Sequence, residues 1–313
     1  MIIDEKKSKR FAFLISFLFH LILLSCSLPT TELIITKEKE MFMKIVKTAW
    51  KSLKKLGLTK DASLNNLSVT CDLKKSLEGS HFVQESAPEK LDLKQDLYYE
   101  MGEILPKNII ISSSTSGFMM SDIQKKCNSP ERTIIGHPFN PVYLLPAVEI
   151  VPGKKTSKKF LNQAKKFYQS ISMNPIMVKK ELPGYLSDRL QEALWREGLH
   201  IINEGYATTE DLDRAIEDGP GLRWSLMGTF LTFHLAGGKA GMKHMLEQFG
   251  PALKLPWTKL KAPKLSKKLS ERLISGTKKQ AKGKSINQLS NIRDEYLVEL
   301  QNLRKKYENK IRK

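Results

Sequence analysis

Apolar residues recur at helical spacing over 42–58, where Ile45, Val46, Trp50, Leu53 and Leu56 share one face and lysines take the other. The pattern then shortens. Residues 67–70 predict a strand, 72–77 a helix, 81–85 (HFVQE) a strand and 89–104 a longer helix. The stretch 108–113 (NIIISS) is β-branched and bounded by Pro106 and a Ser/Gly cluster, which predicts a buried strand. Further strands are predicted at 133–136, 147–151 and 174–178, with a helix over 155–170. This alternation predicts a sheet covered by helices on both faces, with ligands at the carboxyl ends of its strands.

Past Gly184 the pattern is helical throughout. Residues 186–203 form one long helical repeat. Thr208-Thr209-Glu210-Asp211 has the form of a capping box, with Asp in the place of the usual Glu, and opens another helix. Gly219-Pro220-Gly221 ends it, and 226–235 follows. The domain boundary is therefore expected near Pro183, and no internal repeat is visible.

The amino terminus differs from both halves. Residues 5–10 (EKKSKR) are charged and 11–28 are almost wholly apolar. A basic stretch before an apolar run is the pattern of a signal peptide or a short anchor. At the low limit for spanning ~30 Å of hydrocarbon, it leaves two readings open. Either 11–28 is a genuine anchor, or 1–41 is a segment foreign to the fold.

Composition narrows the class. With 313 residues, 41% hydrophobic and 27% charged, the chain suits two globular domains and excludes collagen-like, mucin-like and disulfide-scaffold proteins. The 52 Lys/Arg against 33 Asp/Glu leave a net charge of +19, a balance that could suit nucleic acid. However, 18 Lys/Arg against 5 Asp/Glu fall within 254–313. The excess belongs to the carboxyl end, where 294–312 reads as an amphipathic helix with a wet, basic face, and no nucleic-acid partner is expected. Cys26, Cys71 and Cys127 have neither pair nor zinc spacing, so a reducing compartment and no metal are expected.

Four segments carry candidate chemistry. Ser112 to Gly117 (SSSTSG) places hydroxyls directly after a buried strand. Gly136-His137-Pro138-Phe139-Asn140-Pro141 holds a histidine in a proline-constrained turn, and an imidazole is suited to general-base work near neutral pH. Glu149 sits inside a β-branched strand, where a carboxylate needs a partner, and His137 is the natural one. Pro183 to Leu190 (PGYLSDRL) opens the helical half and places Asp188 one turn into its first helix.

Together these residues resemble the 3-hydroxyacyl-CoA dehydrogenase family. The text that carries the resemblance is FVQESAPEKLDLK, SSSTSG, GHPFNPVYLLPAVEIV, PGYLSDRLQEALWREGLHIINEGYATTEDLDRAI, GPGLRWSLMGTFLTFHLAGGKAGM and FGPALKLPWTKL, spread over 42–307. Within the family it is most similar to the carnitine branch, on LWREGLHIINEG and GLRWSLMGTFLT, and more distantly to the lambda-crystallin/L-gulonate branch.

The resemblance implies an α/β, Rossmann-type NAD-binding domain over 42–182 and an all-helical domain over 183–313. It also implies a cytoplasmic, homodimeric enzyme that oxidises a small 3-hydroxy acid, with the dimer formed through the helical domain. His137 matches the catalytic histidine, Glu149 the glutamate that orients it and Ser116 the serine that bonds the substrate oxygen. Glu89 and Lys94 match residues on the nicotinamide–ribose side of the NAD site. Asp188 stands where the acyl-CoA enzymes carry Asn, and Asp at this place agrees with the carnitine branch. A trimethylammonium group needs aromatic faces or a carboxylate. Phe139, Tyr143, Trp195 and Trp224 are candidate faces, with Glu197 as a counter-charge. One element of the family's pattern is not matched. A dinucleotide-binding domain opens with strand, G-x-G-x-x-G and helix, and the first glycine here is Gly57. The first strand, phosphate loop and helix are therefore expected to be missing or replaced.

Overall fold

The computed structural model describes residues 62–70, 72–140, 142, 145–225 and 227–258 continuously, with scattered positions between 43 and 58 and between 266 and 303. The apolar run at 11–28, the whole of 1–41, Tyr143 and most of 294–312 lie outside the described residues. The chain divides into two compact units, residues 1–190 and 191–313.

Among the described residues the first unit holds a five-stranded sheet in sequence order: β1 (Phe82–Glu85), β2 (Ile110–Ser113), β3 (Thr133–Pro138), β4 (Ala147–Pro152) and β5 (Asn174–Met177). Neighbouring strands run parallel except β3 and β4, which are antiparallel. That exception follows from the length of the connection. Residues 139–146 are too few for a crossover, which needs about a dozen residues, so the chain must return alongside itself.

Successive residues of each strand face opposite sides of the sheet. Phe82, Ile110, Ile134 and Ile150 enter one apolar core, and Val83, Ile111, Ile135 and Val151 enter another. Helices cover both. The short helix α1 (Leu73–Leu77) is N-capped by Asp72, whose carboxylate accepts from Lys75 N. On the side of Val83, α2 (Leu91–Ile104) lays down Tyr98 and Met101, and α3 (Met120–Ile123) adds Met120 and Ile123. On the other side, α4 (Lys158–Ser170) contributes Phe160, Ala164 and Tyr168 at helical spacing, and Phe167 stacks on Phe82 with ring centroids 3.9 Å apart. Met43, Val46, Lys47, Ala49, Trp50, Leu53 and Lys54 are helical, and Val46 and Leu53 join this core.

Two local expectations change. Residues 67–70 are not a strand: Leu67 and Val69 pack on the core, but the segment has no ladder partner among the described residues. Packing of alternate apolar residues satisfies the same sequence pattern without pairing. The helix expected over 155–170 starts at Lys158, because Gly153, Thr156 and Ser157 are spent on a turn in which Thr156 N bonds Gly153 O and Gly153 N bonds Thr156 Oγ1.

The helix α5 (Ser187–Asn203) begins in the first unit and continues into the second. It is followed by α6 (Thr209–Glu217), α7 (Pro220–Trp224), α8 (Thr229–Ala236) and α9 (Met242–Phe249). The capping box is present: Thr208 Oγ1 accepts from Asp211 N, and the Asp211 carboxylate accepts from Thr208 N. Among the described residues the second unit's core comprises Met227, Leu235, Ala281 and Leu289, with Leu231 and Ile286 beside them. No helix among the described residues is long and apolar enough to cross a membrane.

Candidate active site

The antiparallel β3/β4 pair places His137 directly opposite Glu149. Side chains at such paired positions project from the same face of the sheet, and Glu149 Oε2 lies 2.9 Å from His137 Nδ1. Both residues are buried, Glu149 completely. The carboxylate's other oxygen, Oε1, accepts from Leu186 N at 2.9 Å and Ser187 N at 3.1 Å. Burial by itself would push the Glu149 carboxyl up. The bonds from His137, Ser187 and Leu186 together outweigh it and hold the group below its ordinary range.

The two backbone donors reach Glu149 because the chain before them is bent. Gly184 and Tyr185 both adopt positive φ, +69° and +43°. A non-glycine residue in that region is uncommon and is held by its surroundings. Tyr185 is wholly buried, its hydroxyl donates to Phe118 O at 2.6 Å, and its ring lies 5.3 Å from that of His137. Burial drives its phenol strongly upward, so the hydroxyl stays a donor.

An anionic Glu149 accepts from Nδ1–H, and Nε2 is then left as the ring's proton acceptor. On that side stands Asp188, with Oδ2 3.9 Å from Nε2 and a partly exposed side chain. Phe139 packs against the same imidazole at 5.1 Å between centroids. The result is an imidazole flanked by two carboxylates, with one nitrogen committed and the other available to a ligand hydroxyl.

At the carboxyl ends of β1 and β2 lies a second polar group. Lys94, wholly buried in α2, has its Nζ 2.8 Å from Glu85 Oε1, 2.9 Å from Ala87 O and 3.4 Å from Glu89 Oε2. Glu89 also accepts from the Thr115 hydroxyl and from Gly117 N. Ser116 stands exposed between those two residues. Glu85 was not singled out in the sequence. A strand-ending Glu looks like any solvated one until its neighbours Lys94 and Ser113 are placed around it.

A third network supports the floor under His137. Tyr168 Oη bonds Ser112 Oγ at 2.8 Å and donates to Gln84 Oε1 at 2.7 Å, while Gln84 Nε2 donates to Gly136 O at 3.1 Å. Gly136 is required there: a Cβ at that position would lie 1.9 Å from Tyr168 Oη and 2.4 Å from Ser112 Oγ.

The remaining described sequence candidates lie on α5 and α7. Trp195 on α5 and Trp224 on α7 belong to the second unit, 62% and 40% exposed, and Glu197 is half-buried on α5. Among the described residues, no group of three or more His, Cys, Asp or Glu is placed to hold a metal ion.

Comparison with known proteins agrees with the fold. Residues 29–182 match the model for the 3-hydroxyacyl-CoA dehydrogenase NAD binding domain, and 184–283 match that for the 3-hydroxyacyl-CoA dehydrogenase C-terminal domain. The chain is 49% identical over 269 residues to an L-carnitine dehydrogenase of Oceanobacillus iheyensis, covering 86% of this chain and 88% of that protein. It is 51% identical over 262 residues to one of Bacillus cereus (84% and 80% covered) and 50% identical over 260 residues to one of Pseudomonas putida (83% and 81%). Among solved structures, the fold is similar to FHMPC 5-dehydrogenase, described as an NAD+ dependent dismutase (TM-score 0.63, 24% identity, 89% of this chain and 88% of that one). A 3-hydroxyacyl-CoA dehydrogenase of Archaeoglobus fulgidus is also similar in fold (TM-score 0.59, 24% identity, 77% and 82%).

Proposed function

The chain belongs to the 3-hydroxyacyl-CoA dehydrogenase family, and on that premise we propose that it oxidises L-carnitine to 3-dehydrocarnitine with His137 as general base. It is an NAD-dependent oxidoreductase with a Rossmann-type sheet and a helical carboxyl-terminal domain. The observation that carries the mechanistic reading is the triple bonding of Glu149, which leaves His137 Nε2 facing Asp188 with its lone pair free.

The residues at the carboxyl ends of β1 and β2 fit the nicotinamide side of a dinucleotide: Glu89 would hold it, beside the exposed Ser116, and Lys94, wholly buried with its ammonium on Glu85, Ala87 O and Glu89, would act through Glu89 rather than touch it. The pyrophosphate side would rest on residues before Gly57, none of which is glycine. NAD, when bound, supplies the hydride acceptor. The chain supplies the rest. Nε2 of His137 takes the proton of the C3 hydroxyl. The resulting imidazolium is stabilised by Glu149 on one nitrogen and by the Asp188 charge near the other. Ser116 donates to the oxygen that becomes the ketone. Tyr185 and Phe139 pack on the imidazole and fix its orientation.

Asp188 supports a cationic substrate. Two carboxylates flank one imidazole, so the site is anionic whenever the imidazole is neutral. A trimethylammonium group gains from that charge and from the Phe139 face, whereas a phosphate-bearing CoA ester does not.

The test is a substrate panel on the purified chain, following NADH formation with L-carnitine, D-carnitine, L-gulonate and 3-hydroxybutyryl-CoA. Turnover highest with L-carnitine is expected. Preference for the gulonate or the CoA ester would replace the substrate assignment, and no turnover with any would favour a silent, crystallin-like relative.

We also infer a homodimer through the helical domain. In that unit Trp195, Leu199, Phe230, Phe233 and Phe249 are exposed, and a partner surface would take such large apolar side chains out of water. Light scattering on the eluting protein reads the mass. A reducing, cytoplasmic location fits the unpaired cysteine pattern, and cell fractionation tests it against membrane attachment through 11–28.

A further inference from the structure

Among the described residues no side chain bonds Ser116, but both of its neighbours are held. Glu89 Oε1 accepts from the Thr115 hydroxyl on one side and from Gly117 N, at 3.3 Å, on the other. Thr115 Oγ1 in turn accepts from Gly117 N and Phe118 N at 3.3 and 3.1 Å, closing a turn around the serine. Glu89 is 39% exposed, and a carboxylate so placed would ordinarily sample many rotamers. It is held by the Lys94 ammonium, 3.4 Å from its Oε2.

Lys94 is completely buried, and a buried ammonium is tolerated only where charge and hydrogen bonds meet it. Glu85 does this. Its Oε1 takes Lys94 Nζ at 2.8 Å and Ala87 N at 2.5 Å, and its Oε2 takes the Ser113 hydroxyl at 2.6 Å. Ser113 Oγ accepts from Thr115 N at 3.3 Å. One buried carboxylate thus acts on the serine loop by two routes: through Lys94 and Glu89, and through Ser113.

We propose that Glu85 is a positioning residue for the oxidation. By fixing Lys94 it fixes Glu89, and through Glu89 and Ser113 it sets the loop that presents Ser116 to the substrate oxygen. The proposal rests on the role given to Ser116 above. No atom of Glu85 needs to touch substrate or cofactor.

The experiment is Glu85→Gln in the full chain, read first by amide hydrogen exchange. Gln keeps the size and a carbonyl oxygen for Ser113 or Ala87, but it cannot meet the ammonium charge. Losing a hydrogen bond to a charged group corresponds to about a 10- to 100-fold change in an equilibrium. Exchange at Gly117 and Phe118 is therefore expected to accelerate about tenfold or more, with the amides of β3 and β4 unchanged. Where turnover is measured, kcat is expected to fall, and the KM for NAD to rise with it because Glu89 is also placed on the nicotinamide side. Unchanged exchange over 113–118 overturns the proposal. So does an increase spread evenly over β2 to β4, which would mark Glu85 as a general stabiliser.

Should the single variant not fold, Glu85→Gln with Lys94→Met removes both buried charges. The loop is expected to remain loosened in that double variant, and a fully protected loop there overturns the idea. The exchange reading needs no substrate, so failure of the carnitine assignment would show in the substrate panel and not here.

Discussion

Glu149 meets His137 across an antiparallel strand pair, 2.9 Å from its Nδ1, and its other oxygen is held by two amides from 37 and 38 residues further along the chain. The carboxylate is therefore a fixed acceptor, and the histidine's tautomer follows from it.

His137→Gln removes the base while keeping a side chain able to bond Glu149. Turnover is expected to fall about 10²- to 10⁴-fold, the usual contribution of a positioned base. The melting temperature should change little. Steady-state kinetics and a thermal melt on the same sample check both halves of that expectation.

Glu149→Gln offers Nδ1 of His137 an NH2 donor, or else gives up the bonds from Leu186 and Ser187. Either outcome disturbs the tautomer, and a loss of kcat of about 10²-fold or more is expected. The wild-type linkage has a definite sign. The folded carboxyl lies below its unfolded value. Its contribution is thus fully present above the ordinary range near 4.3, and is lost as pH falls through the folded value. Denaturant midpoints measured from pH 6 down to pH 3 should show a decline that Glu149→Gln flattens.

Asp188→Asn removes one of the two carboxylates beside His137 and keeps the shape. The KM for L-carnitine is expected to rise about tenfold, the order of a partly exposed charge contact of ~1 kcal/mol or somewhat more. A neutral 3-hydroxy acid of the same length should show a smaller change. Equal effects on both would remove charge selection from the role of Asp188.

Gly136→Ala places a methyl against Tyr168 Oη and Ser112 Oγ. Neither neighbour can withdraw without breaking the Gln84–Tyr168–Ser112 bonds beneath His137. Destabilisation of about 3 kcal/mol is expected, at the upper end of overpacking effects. Chemical denaturation gives the value.

His234 in the helical unit accepts from Met242 N at Nδ1, 3.1 Å away, and burial depresses its affinity for protons. The unfolded histidine titrates near 6.5. Below that pH the unfolded chain binds the extra proton and the folded one resists it, so stability of this unit is expected to fall as pH drops from 7 to 5. His234→Asn, which can keep an acceptor for Met242, should lose that slope in pH-dependent melts.

Much of this arrangement was legible in advance. The strands carrying His137 and Glu149 were readable because β-branched runs bounded by Pro and Gly have little other use, and the need of a buried Glu for a partner pointed to His137. The register that pairs them was not written in either strand. It follows from the return of the chain through 139–146. The strand expected at 67–70 failed because alternate apolar residues are satisfied by packing as well as by pairing. Glu85 and Tyr185 were missed for a different reason. A carboxylate at a strand end and an aromatic after a glycine are ordinary in sequence, and only the arrival of Lys94, Ser113 and Phe118 from elsewhere makes them specific.

The bend at Gly184 and Tyr185 also decides how the chain can be divided. The family's amino-terminal model stops at 182, before the two amides that hold Glu149. A fragment cut there would contain both side chains of the His–Glu pair and lack two of the carboxylate's three donors. A fragment ending at Leu190 would contain all of them: eight further residues are what turn a strand pair into a seated base.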